Sequence, residues 1–224
     1  MNAFIQLACC RRSTCWAALL SLLLVNQPAV AETTIDERQD AAAEGHVEVI
    51  NISGSVEVTG WEEDQVAITG TLGRGVERLD FSVDGDQTRI EVIYPQTGRS
   101  EGSDLQIRIP AGSSLDVRTV SASINAADVT GRQRLNSVSG DISSEVFDSD
   151  LEAETVSGSL DVSGAAQPTV VALKTVSGKI EAIAVSGELE AGSVSGRIEV
   201  DAGMLDRARL GTTSGRITLD GGLA

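Results

Sequence analysis

From His46 onward, apolar and polar residues alternate with a period of two, the pattern of strands that bury one face. The apolar positions run Val47, Val49, Ile50 and Ile52, Val56 and Val58, Val66 and Ile68, Leu79, Phe81 and Val83, Ile90, Val92 and Tyr94, then Leu105, Ile107 and Ile109. Turn-forming clusters separate them at Gly73 to Gly75, Asp84-Gly85-Asp86, Pro95 to Gly102 and Pro110-Ala111-Gly112. Residues 46–114 therefore read as a β region of six or seven strands. The preceding residues 32–45 lack the alternation and read as a flexible, polar N-terminal arm or a single helical turn.

After Leu115 the varied strands give way to a repeat centred on Thr-Val-Ser-Gly. Its second serine recurs at Ser121, Ser139, Ser157, Ser177, Ser195 and Ser214, in steps of 18, 18, 20, 18 and 19 residues. A glycine follows at Gly140, Gly158, Gly178, Gly196 and Gly215, and a half-period copy sits at Val185-Ser186-Gly187. An apolar residue precedes each motif (Leu115, Leu135, Leu151, Val171, Leu189, Leu210) and another follows it (Ile124, Ile142, Leu160, Ile180, Ile198, Ile217). A unit this short cannot bury an apolar face alone, but successive units coiled on one another pair strands at about 4.8 Å per rung and share one core. The fold class is all-β: an N-terminal β-strand region continuing into a β-solenoid of 18–20 residues per rung over residues 115–224. Leu151 and Ala153 share one strand face, whereas Val156 and Leu160 have the opposite parity, so a corner at the motif is expected to turn both sets inward.

Residues 1–31 are organised as a secretory leader: Arg11 and Arg12, an apolar run from Cys15 to Val25, then Ala29-Val30-Ala31. Cleavage after Ala31 by a Sec-type route is expected, with a periplasmic or secreted product. The apolar run is short of the roughly 20 residues that span a bilayer. No integral membrane segment is expected in the mature chain. Its three cysteines, Cys9, Cys10 and Cys15, all precede the cut, so the exported part has no thiol for a disulfide, a metal or a nucleophile. The leader takes Arg11 and Arg12 and no acid, so 17 basic and 33 acidic groups become 15 and 33, and the charge of −16 becomes about −18. Such a surface repels nucleic acid.

Candidate chemistry is sparse. His46 is the sole histidine, which leaves a histidine-based triad or zinc site without partners. The residue after each motif glycine or its counterpart changes sign from rung to rung (Ser123, Asp141, Ser159, Lys179, Arg197, Arg216), so no paired-carboxylate site is built there. No catalytic residue, metal ligand or cofactor is expected. Trp61 is a candidate ligand contact, since an exposed indole can stack on a sugar, although a turn residue folded onto the core is the commoner case. The Ser/Thr column could form a flat hydroxyl ladder, but such side chains ordinarily satisfy backbone groups at corners, and that role is the expectation.

The segment Asn51 to Trp61 (NISGSVEVTGW), the step Ile109-Pro110-Ala111-Gly112-Ser113 and the reiterated Thr-Val-Ser-Gly-x-Ile together resemble DUF4097, a bacterial family of adhesin-like proteins of unknown function. The resemblance runs from about Val47 to the C-terminus. It implies a β-solenoid envelope protein and supplies no catalytic residues. The functional expectation is a non-catalytic exported protein that presents a rigid surface to an envelope protein or glycan, with a carbohydrate-binding or carbohydrate-active β-helix as the alternative.

Overall fold

The computed structural model describes residues 32–96, 99–147, 149–164 and 167–223; the leader and its cut site lie outside them. Eighteen strands and no helix make up the described part. Most of them build two ladders of parallel strands that face each other across one apolar core. The first ladder stacks β6 (Gln87–Ile93), β2 (His46–Asn51), β8 (Ser114–Thr119), β10 (Gln133–Asn136), β12 (Leu151–Thr155), β14 (Pro168–Thr175), β16 (Ser186–Ser193) and the second half of β17 (Ile198–Thr212). The second stacks β7 (Ser103–Pro110), β3 (Gly54–Trp61), β9 (Ser123–Ala127), β11 (Ile142–Val146), β13 (Leu160–Gly164), β15 (Ile180–Ile183), the first half of β17 and β18 (Ile217–Leu223). From β8 onward each rung is thus two strands joined at a corner of the Thr-Val-Ser-Gly type; β2 and β3 meet at Asn51-Ile52-Ser53-Gly54, and β6 and β7 are joined by a longer connection. The half-period motif at Val185 to Gly187 lies at the opposite corner, where Ala184 and Gly187 take positive φ angles of 55° and 90°.

The predicted repeat register holds. Ile124, Ile142, Leu160, Ile180, Ile198 and Ile217 pair in sequence, one per rung. From Ile124 to Ile198 they are completely buried. The leucine column is different. Leu115 pairs with Gln133, and Gln133 with Leu151, while Leu135 belongs to the next inward column beside Val117 and Ala153. Gln133 is buried, and its amide spans the core: Oε1 accepts from Ser144 Oγ at 2.7 Å, and Nε2 donates to the Glu145 carbonyl at 2.9 Å. Gln133→Ala should therefore cost about 1–3 kcal/mol in chemical denaturation, because it orphans a buried hydroxyl and a carbonyl. Adding Ser144→Ala should recover part of that loss.

Two boundaries are corrected. Residues 46–114 are not a region preceding the solenoid, because β2 and β3 already form a rung directly under β8 and β9. That rung is stacked out of chain order: β6 and β7 lie on its far side, although they follow it in sequence. The proposed arm is also mostly a strand. β1 (Thr33–Asp40) pairs antiparallel along β4 (Gln65–Leu72), which in turn pairs antiparallel with β7 and closes that end of the second ladder. Strand β5 (Arg78–Asp84) closes the first ladder in the same way against β6. Only Ile35 of β1 is buried, which is why its strand character is absent from the apolar pattern.

Candidate interaction surface

At each corner the chain must leave one ladder and enter the other while adjacent rungs stay in backbone contact. The glycine permits this by close approach, not by an unusual φ. A Cβ built on Gly178 lies 2.6 Å from the carbonyl carbon of Gly158 and closer still to its oxygen; Gly140, Gly158, Gly196 and Gly215 meet the same obstacle from the rung before. The first hydroxyl of the motif points inward beside it. The amides of Gly140, Gly158, Gly178 and Gly196 donate to Ser137, Thr155, Thr175 and Ser193 at 2.7–3.1 Å, and Thr155 and Thr175 donate to the glycine carbonyl of the preceding rung at 3.3 Å. These hydroxyls satisfy backbone groups, as expected for corner residues.

With the hydroxyl and the glycine turned inward, the two residues between them splay outward. This corrects the expectation that the motif valines join the core. Val120, Val138, Val156, Val176 and Val194 are 42–47% exposed, and Ile52 occupies the same position at 43%. The marker serines Ser121, Ser139, Ser157, Ser177 and Ser195 are exposed beside them. Backbone hydrogen bonds tie the ridge together, from the Ser121 amide to the Ile52 carbonyl (2.7 Å) through Ser157 to Val138 (3.0 Å) and Ser195 to Val176 (2.9 Å). Six branched apolar side chains therefore form one continuous ridge, about 24 Å long at one rung spacing per step.

Along the ridge on the first ladder runs a groove of about 530 Å³, bordered by Val156, Val176 and Val194 and by the ion pair of Glu154 with Lys174 (2.8 Å). Gly192 and Gly211 lie on its floor, paired in adjacent rungs. A Cβ at either would meet nothing within 4 Å, so neither glycine is imposed by crowding. Glycine within a strand weakens it and often marks a place that another molecule approaches.

The outer face of the second ladder has the opposite character. Glu57, Asp161, Glu181 and Glu199 share one stacked column with Asn125 and Ser143, and Asp201 pairs with Asp220 in the next. Burial, then repulsion from Glu181, pushes the Asp161 carboxyl above its ordinary value. Lys179 answers part of this charge, bridging Glu181 and Glu199 at 2.7 Å each, and its hydrogen bond holds the Glu199 carboxyl below the usual range. A carboxylate lowered in this way stabilises the fold above its unfolded pKa and loses that contribution as pH falls through the folded value. Lys179→Gln should thus produce a small loss of melting temperature at neutral pH that fades with added salt and on acidification, because these groups are solvated.

Trp61 ends β3 half-buried, its Nε1–H donating to the Gln65 carbonyl at 2.8 Å and the Arg108 guanidinium 5.8 Å above its ring. His46 opens β2, with Nδ1 3.0 Å from Ser114 Oγ. Neither lies among the ridge or groove residues.

A family model, Toastrack DUF4097, matches residues 40–221. The chain belongs to the DUF4097 family. The stacked two-strand rungs and their recurring corner are thus the Toastrack fold in this chain. Among solved structures, similarity extends to a "putative adhesin" from Parabacteroides distasonis (11% identity, 85% of this chain and 98% of that one, TM-score 0.37). It extends also to a "putative cell adhesion protein" from Clostridium sporogenes (9%, 85% and 100%, TM-score 0.31) and a "putative lipid binding protein" from P. distasonis (12%, 84% and 97%, TM-score 0.35). No curated protein matches the chain. Among the described residues, no helix of this Toastrack protein is long and apolar enough to cross a membrane.

Proposed function

We propose that this DUF4097 protein is exported through its leader and serves the cell envelope as a non-catalytic presenter of a rigid binding surface, with the valine ridge as that surface. The observation that carries this reading is the unbroken exposure of six branched apolar residues in register, beside a groove floored by glycines that packing does not require. The largest exposed apolar patch on a folded monomer is roughly a few hundred Å² and is often functional. The fold does not need apolar residues there: in the last rung the ridge position is Thr213, which has the same β-branched shape.

The leader supports export. N-terminal sequencing of protein from the periplasm or medium is expected to begin at Glu32; a chain retained with Met1 in the membrane fraction would refute export. The surface itself is tested in the producing cell with a photo-activated cross-linker at position 156 or at position 163, an exposed site on the acidic face. Adducts are expected from position 156 alone. Equal yields from both, or none from 156, would remove the ridge as the working surface.

A further inference from the structure

We infer that the partner seated on the ridge is a second copy of this chain, packed side by side through a two-fold contact of ridge on ridge; this rests on the reading of the ridge as the binding surface. The first argument is spacing. The ridge repeats once per rung, about 4.8 Å. An extended peptide presents side chains on one face every 6.6–6.8 Å or so, and a helix every 5.4 Å or so, which puts it about 3 Å out of step after five rungs. A second solenoid of the same rung spacing stays in step at every position, as stacked identical side chains do in dry β interfaces.

The second argument is charge. Two copies of the mature chain, each carrying about −18, repel over most of their surface. The ridge is flanked on one side by neutral serines and then by Ser123, Asp141, Ser159, Lys179 and Arg197. On the other side stand Arg118, Asn136, Glu154, Lys174 and the two glycines, in one stacked column. Neither flank carries excess negative charge, whereas the face of the second ladder concentrates it. Two copies can therefore meet at this corner while their acidic faces point apart. In a two-fold contact the same patch serves both partners, so a ridge of one kind of residue is self-complementary.

The apolar area is a few hundred Å² per copy, below the roughly 800 Å² per partner of a stable complex, so the association is weak and reversible. The mature chain has no cysteine, which makes position-specific capture clean. Purified Val156→Cys protein treated with a short bis-maleimide should give a covalent dimer in a yield that rises with protein concentration. Ser163→Cys should give little. Val138→Thr and Val176→Thr, placed together in the Val156→Cys background, should cut the dimer yield several-fold without unfolding, since Thr213 shows the residue type at that position. Sedimentation of the cysteine-free chain should show a concentration-dependent monomer–dimer equilibrium. Dimer yield equal at 156 and 163, or a monomer at every concentration, overturns the inference. If the monomer result comes with in-cell adducts at position 156, the ridge remains a binding surface for another envelope molecule; if those adducts are also missing, the functional reading fails with it.

Discussion

Gly178→Ala is expected to prevent the repeats from closing at that corner, lowering stability by several kcal/mol and, in a protein of ordinary marginal stability, leaving much of the chain unfolded. The added methyl has no free volume to enter: 2.6 Å away is the Gly158 carbonyl carbon, and 2.9 Å away is Thr175 Oγ1. Backbone atoms of the adjacent rung cannot swing aside as a long side chain could. Moving them would break the bonds from the Val176 and Ser177 amides to the Val156 carbonyl (3.2 and 3.0 Å), which hold the two rungs together. Gly192→Ala supplies the contrast within the same rung stack. Its new methyl meets open space, its backbone is extended, and the change should be neutral or slightly stabilising through the lower entropy of the unfolded chain. Chemical denaturation of both variants measures the difference.

Ile180→Asp should be of comparable size for a different reason. Ile180 has no solvent exposure and pairs with Leu160 on one side and Ile198 on the other, both equally buried. A carboxylate there has no hydrogen-bond donor within the apolar column, and its desolvation costs several kcal/mol unless it takes up a proton. The variant should accordingly regain stability as pH falls: an aspartate whose folded-state pKa is raised contributes most below its unfolded value. Thermal unfolding between neutral and mildly acidic pH reads both effects. A melting temperature within a few degrees of the parent at neutral pH would mean that the isoleucine column is not inside.

That column was legible from sequence because an isoleucine or leucine recurs at one offset from an unmistakable motif. Its neighbours were harder. Val156 stands four residues from Leu160, the spacing that would place both on one face of a straight strand, but the chain between them turns a corner, and at a corner parity no longer reports direction. The pairing of Leu115 with Gln133 was hidden for a related reason: the rung containing Gln133 carries its leucine two residues later, and only the cross-strand register shows that Leu135 fills the next column. Strand β1 escaped notice because an edge strand needs a single buried residue, Ile35, to be held by an eight-residue antiparallel partner. The out-of-order rung of β6 and β7 is set by pairings such as His46 with Gln87 and Gly54 with Ser103, far apart in the chain, which no local pattern encodes.

The candidate site depended on the same ambiguity. The marker serines and glycines were identified as structural, and the glycines are, but the functional proposal rests on the valine between them, whose exposure follows from the inward turn of Thr155 and Gly158. Gly192 and Gly211 stood outside the motif and carried no signal except their position within otherwise regular strands.

The central claim separates the ridge from the core, so it is tested most directly by replacing Val138, Val156 and Val176 together with threonine and measuring stability and contact on the same protein. Surface substitutions of this kind stay within about 0.5 kcal/mol each, and a melting temperature within a few degrees of the parent is expected. Contact, read as concentration-dependent dimer in sedimentation and as cross-linking in the cell from position 194, a ridge site the variant leaves free, should be lost. A protein that unfolds on this change would show that the valines belong to the core, and one that keeps both its stability and its contacts would show that the ridge is not the surface this protein uses.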